Sequence, residues 1–200
     1  MLDIAPGLTV AFAAYLLGGI PVGLIVARRV AGIDVREHGS SNIGATNVYR
    51  VVGARAGALV WVLDVLKGVA PTIGAAHLGL HTGWCVLAGL AAVVGHSFSP
   101  FLRFRGGKGA ATSFGVMLGV MWPVAACTVV LWLGLVAITR YVSVATIVSA
   151  AAMTPLTLVL FSGDTPRLVL AILAGTLTIL RHRSNIQRLL NGTEHRFGQR

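Results

Sequence analysis

Acidic side chains are scarce in this sequence. Six Asp and Glu stand against 16 Lys and Arg, and charged residues of both signs make up only 11% of the 200 residues. A soluble domain carries roughly 25% charged residues, so an ordinary soluble globular fold is excluded. There are two cysteines, Cys85 and Cys127, and both fall in apolar runs. They offer neither a disulfide framework nor a metal-ligand spacing. A carboxylate metal site, or hydrolysis by paired acids, needs clustered Asp and Glu, and no such cluster is present. A basic stretch ahead of the first apolar run is missing as well. The first charge is Asp3, and Arg28 and Arg29 come after the run. That order argues against a signal peptide and for a first helix with its N-terminus outside.

Apolar residues fill the space. They make up 56% of the chain, at a mean hydropathy of +0.82. The runs are continuous, without the short alternating segments of a barrel, so the fold class is all-α and the protein is polytopic in a membrane. One domain over residues 1–200 is expected, with seven transmembrane helices near 6–30, 54–77, 84–94, 108–121, 122–139, 144–161 and 167–180. Kinks are expected at Pro21 and Pro155, and the last helix is expected to continue into the cationic tail that begins at Arg181. Gly19 and Gly23 form a small-xxx-small pair suited to close packing inside the bundle. In this arrangement 14 of the 16 Lys and Arg fall on one side, with Arg167 opposite and Lys67 inside the membrane. The bias predicts an outside N-terminus and a cytoplasmic C-terminus.

The polar residues are concentrated in a few places, all on the predicted cytoplasmic side. Between His38 and Arg50 the chain places small residues among Ser40, Ser41, Asn42, Thr46 and Asn47, and it ends on a cation. A donor-rich loop without an acid suits an anion, most plausibly phosphate; the plainer reading is a polar loop between helices. A second stretch, 103–109, holds Arg103, Arg105 and Lys108 with Gly106, Gly107 and Gly109. Its composition suits a phosphate cradle. It is not a nucleotide-binding P-loop, because Leu102 and Gly109 replace the required Gly and Ser or Thr. Ser143, His182 and Asn185 lie on the same side. Inside the membrane Asp64 and Lys67 share one helical face at i and i+3. They suit either a structural ion pair or a direct substrate contact by Lys67. Such a pocket would hold a small phosphorylated molecule at the membrane surface while a lipid chain lies in the bilayer. A transporter of a phosphorylated metabolite is the alternative, although no internal repeat is visible.

Five runs carry a closer likeness: 39–50 (GSSNIGATNVYR), 95–98 (GHSF), 104–112 (FRGGKGAAT), 140–143 (RYVS) and 181–194 (RHRSNIQRLLNGTE). In this order, over about residues 15–197, the chain resembles the bacterial acyl-phosphate:glycerol-3-phosphate acyltransferases. Ser41 stands where the family pattern has Gly. The resemblance implies a seven-helix, multi-pass enzyme of the bacterial cytoplasmic (inner) membrane with its active site facing the cytoplasm. It would move a fatty acyl group from acyl phosphate to the 1-hydroxyl of sn-glycerol 3-phosphate, giving lysophosphatidic acid and inorganic phosphate, the first step of phospholipid synthesis. It implies no coenzyme A, acyl carrier protein, metal or other cofactor, and no obligate protein or nucleic-acid partner. The His-x4-Asp pattern of acyl-CoA-dependent acyltransferases is absent from the chain. By position, the resemblance makes Ser40, Arg50, Lys108 and Ser143 catalytic residues that hold the substrate phosphates. His182 and Asn185 would orient glycerol 3-phosphate, and Gly106, Gly107 and Gly109 would let backbone approach phosphate. Asn42, Thr46, Asn47, Lys67 and His96 complete the expected substrate contacts. With no carboxylate base evident, the acyl phosphate's own oxygens are expected to take the hydroxyl proton, with His182 or His96 as the rival base.

Overall fold

The computed structural model describes residues 3–198. Among them are ten α-helices, two short 3-10 turns and no strand. Five segments are long and apolar enough to cross a membrane: Ile4–Ala31, Ala54–His77, Thr82–Leu102, Trp122–Thr139 and Val142–Leu160. Their outer faces are apolar. Ile138 and Val159, for example, are 83% and 78% exposed, which is tolerable against lipid and not against water.

The expected first helix is two helices, α1 (Ile4–Gly19) and α2 (Val22–Ala31). Pro21 disfavours the helical conformation of the residue before it, and Ile20 turns out to ψ 120. The predicted kink is therefore a full break. The break frees carbonyls at membrane depth, where each needs a partner. Ser99 Oγ donates to Gly19 O at 2.6 Å, and Lys67 Nζ donates to Ile20 O at 2.9 Å. Gly23 sits against the Ile43 carbonyl with no room for a Cβ, so it packs inside the bundle.

The segment read as a loop before Arg50 contains a short helix, α3 (Ala45–Val51). α4 (Ala54–His77) has the expected bounds, while α5 (Thr82–Ser97) runs longer at both ends. His81 caps α5 by accepting from the Gly83 N–H. α6 (Ala110–Val120) starts two residues later than predicted, which leaves Lys108 in the loop. α7 (Trp122–Thr139) is hydrophobic all round, and only Val124, Ala125 and Thr128 are buried. α8 (Val142–Leu160) starts two residues early, so Ser143 lies in its first turn, and Pro155 is accommodated inside it. α9 (Thr165–Arg181) ends at His182, and a separate amphipathic α10 (Arg183–Leu190) follows in place of a continuous helix.

α1 packs on α5, α4 on α6, and α8 on both α7 and α9. The largest core joins Val93 of α5, Val116 and Met117 of α6, Met121, Val124 of α7, Met153 of α8 and Leu170 of α9. A second core ties α2 and α3 to α4 through Ala27, Val48 and Val60. Together they hold the polar loops at one end of the bundle.

Candidate active site

The loop before α3 is held by a single side chain. Asn47 is 1% exposed. Its amide donates to the carbonyls of Val35, His38 and Asn42 at 2.9–3.1 Å, and its Oδ1 accepts from the Ser40 N–H at 2.8 Å. Asn42 Oδ1 accepts from the Gly44 N–H, a local turn that starts α3. Ser41 adopts φ +55, a left-handed conformation that favours glycine. Its departure from the family pattern therefore falls where glycine is easiest. Asn47 is a staple with its bonding capacity used, and the loop it shapes turns Ser40 and Arg50 into a cavity.

The glycine-rich loop is clamped along both edges. Gly106 and Gly107 donate their N–H groups to the carbonyls of Ser97 and His96. Their own carbonyls accept from Arg181, at 2.9 Å and 3.1 Å. A Cβ at Gly106 would overlap the His96 carbonyl, and one at Gly107 would overlap the His96 ring. These two glycines are thus required for packing on the end of α5. Their N–H groups are committed to the Ser97 and His96 carbonyls. Gly109, at φ +79, ends the loop and caps α6. The clamp leaves Lys108 projecting into the cavity.

Lys108 donates to Asn185 Oδ1. Asn185 Nδ2 donates to Glu194 Oε1 at 2.7 Å, and Arg188 Nε donates to Glu194 Oε2 at 2.7 Å. Burial, reinforced by the charge of Arg188, pushes the Lys108 ammonium down to about 8. Burial alone would raise the Glu194 carboxyl, but the bonds from Asn185 and Arg188 outweigh it and hold the group below its ordinary value. Burial also pushes His182 down to about 4, so its ring is neutral. The His182 Nδ1 lies 2.7 Å from the Thr178 carbonyl. A carbonyl only accepts, so Nδ1 carries the hydrogen and Nε2 is left as an acceptor. His96 has the opposite arrangement: Lys67 Nζ donates to its Nδ1 at 3.2 Å, which puts the hydrogen on Nε2. Ser143 Oγ is buried beside the Glu194 carboxylate and lines the cavity.

The cavity, about 580 Å³, brings together Ser40, Asn42, Thr46, Asn47, Arg50, His96, Lys108, Gly109, Ser143, His182 and Asn185. Lys67 lies outside it. Its ammonium is 5% exposed and is taken up by Asp64 at 2.9 Å, by the Ile20 carbonyl and by His96. Of the two roles the sequence allows it, the geometry is that of the structural ion pair. Glu194 lines the cavity and was not anticipated. Its signal was present: one acid among Arg181, Arg183, Arg188 and Arg196, in a chain with very few.

A second part of the cavity was also missed. Away from the cations it is walled by Trp61 and Phe114, whose rings stack at 6.1 Å, and by Met117, Trp132, Leu133 and Met153. Apolar residues in a membrane helix carry no sequence mark that separates a cavity wall from a lipid-facing surface. Within this lobe Trp132 Nε1 donates to Thr146 Oγ1. On the other side of Ser40, Asn42 and Lys108 an open cleft of about 1010 Å³ faces water, lined by Arg36, Arg103, Arg105, Arg181 and Arg183. The cationic cleft and the cavity, with its donor-rich centre and apolar lobe, thus share Ser40, Asn42 and Lys108 as a common wall.

A family model described as glycerol-3-phosphate acyltransferase matches residues 8–192. The glycerol-3-phosphate acyltransferase of Geobacter sulfurreducens is 44% identical, over 92% of this chain and 94% of that protein. That of Gloeobacter violaceus is 47% identical, over 93% and 92%. Among solved structures the chain is similar to PlsY (YgiH), an integral membrane glycerol 3-phosphate acyltransferase. Its glycerol 3-phosphate form superposes with a TM-score of 0.90 at 43% identity, over 96% of each chain. Its lysophosphatidic acid form gives 0.87 at 42%, again over 96% of each. With sequence and helical fold matching almost from end to end, this membrane protein belongs to the glycerol-3-phosphate acyltransferase family.

Proposed function

We propose that this enzyme takes its acyl group from acyl phosphate and transfers it to the 1-hydroxyl of sn-glycerol 3-phosphate, releasing lysophosphatidic acid and inorganic phosphate. The observation that carries the reading is the makeup of the cavity: it joins an apolar lobe to Lys108, Arg50 and Ser143, and Lys108 also lines the cationic cleft beside it. The solved relatives are described in a glycerol 3-phosphate form and a lysophosphatidic acid form, the acceptor and product of this reaction.

The chain spans the bacterial cytoplasmic membrane seven times, as α1 with α2 and then α4 to α9. Its N-terminus is outside and its reaction centre faces the cytoplasm. The side distribution of Lys and Arg supports this orientation. Lys108 and Arg50 hold the phosphates by charge-assisted bonds, Ser40 and Ser143 add hydroxyl donors, and Asn42 and Thr46 line the same wall. His96, whose Nε2 packs against Gly107, lines the cavity beside them. His182 Nε2 and Asn185 orient the hydroxyls of glycerol 3-phosphate. The acceptor's 1-hydroxyl oxygen attacks the acyl carbonyl carbon, the carbon–oxygen bond to phosphate breaks, and the departing phosphate carries away the hydroxyl proton. Of the two histidines only His182 has a free lone pair, so it alone competes with phosphate as the base.

The test is phosphate release by purified protein given palmitoyl phosphate and glycerol 3-phosphate. Release should require both substrates and collapse in Lys108→Ala. His182→Ala should bind glycerol 3-phosphate more weakly yet keep most of its turnover at saturation. Activity with palmitoyl-CoA and none with palmitoyl phosphate would sink the donor assignment.

A further inference from the structure

The apolar lobe is open along its side and closed at its end. Its lips, Trp61 on α4 and Leu133 on α7, are 46% and 57% exposed. Its floor is Met117 on α6 and Met153 on α8, 5% and 2% exposed. Both methionines belong to the packed core behind them, where Met121, Val124 and Leu170 are sealed. An interior packed at crystal density has no slack for extra chain. Ala150, one turn before Met153 on the same wall, keeps the lobe open up to the floor. From Ser143 at the reacting end to Met153, α8 rises about 15 Å at about 1.5 Å per residue. At about 1.3 Å per carbon, from C–C bonds of about 1.5 Å, that depth takes an extended chain of about 12 carbons.

We propose that Met117 and Met153 set the acyl-chain length the enzyme transfers best, with Ala150 deciding whether the chain reaches them. The inference rests on the lobe's being the acyl-phosphate site. Carbons beyond the floor must turn out between Trp61 and Leu133 into the bilayer, where they gain no contact with the protein. Methionine is unbranched and flexible, so the floor imposes a graded preference.

The experiment is kcat/KM for saturated acyl phosphates from octanoyl to stearoyl, at fixed glycerol 3-phosphate, for wild type, Met153→Ala and Ala150→Leu. The wild-type profile should climb and then level off. The palmitoyl-to-lauroyl ratio should rise about threefold or more in Met153→Ala, and the lauroyl-to-octanoyl ratio should fall by as much in Ala150→Leu, the scale of burying or exposing one to two methylenes. A variant that is merely damaged loses activity with every donor alike, and profiles of wild-type shape in both variants would overturn the inference. Wild-type protein that accepts none of these donors would overturn the donor reading, and the inference with it.

Discussion

Lys108 is the cation proposed to hold phosphate, and its burial beside several arginines makes its charge sensitive to pH. Burial and the neighbouring arginines hold its ammonium at about 8, so the free enzyme loses that charge as pH rises through about 8. kcat/KM for glycerol 3-phosphate should therefore fall above pH 8. Lys108→Arg keeps its charge at every working pH. It should show a lower but flat profile from about pH 7 to about pH 9, and the same decline in both proteins would remove Lys108 as its source. At this scale the sequence is a good guide to chemistry and a poor one to geometry. Ser40, Arg50, Lys108, Ser143, His182 and Asn185 were all legible as polar groups that a membrane protein has little reason to carry. That Gly106 and Gly107 serve the packing of His96, and Asn47 the loop, was not legible. Both roles depend on which carbonyl lies opposite, and that is settled by tertiary contacts far along the chain.

The C-terminal segment after α10 acts as a strap across the site. The Phe197 N–H donates to the Arg140 carbonyl at 2.6 Å, and Arg196 Nε donates to the Tyr141 hydroxyl at 3.0 Å. The Phe197 ring stacks on Tyr49 with centroids 5.5 Å apart. The strap thus joins α3, which carries Arg50, to the start of α8, which carries Ser143, and it delivers Glu194 between them. Tyr49→Ala and Phe197→Ala should each raise KM for glycerol 3-phosphate a few-fold. The double variant should be little worse than either single one, because a stacked pair is worth about 0.5–1.5 kcal/mol and is lost only once. Strictly additive effects would mean that the stack does not order the site. The long apolar helices could be read from composition. The breaks could not be placed so well. Pro21 marked its position, but only the partners of the freed carbonyls, Lys67 and Ser99, decide between a kink and a break. The turn at His182 has neither Pro nor Gly to announce it.

Over the whole molecule, charge and apolar surface are sorted to opposite sides of the wall formed by Ser40, Asn42 and Lys108. The arginines of the water-facing cleft should draw in a dianion over a distance that salt shortens, about 10 Å at 0.1 M and about 3 Å at 1 M. Raising ionic strength should lower kcat/KM for glycerol 3-phosphate more than it lowers kcat. The pair Arg103→Ser with Arg105→Ser should flatten that dependence; an unchanged salt slope would discount steering. This sorting was half legible: the one-sided Lys and Arg forecast a charged mouth, while nothing in the apolar runs forecast the lobe. The two sides also suit different phases: under the proposed reaction inorganic phosphate would leave by the cationic cleft and the acylated product, its chain in the lobe, between the exposed Trp61 and Leu133. In either direction the proposed reaction brings a water-soluble anion to the cations and a lipid to the apolar lobe. The architecture therefore joins two phases at one centre and leaves the direction of the reaction to the free energy of the acyl-phosphate bond.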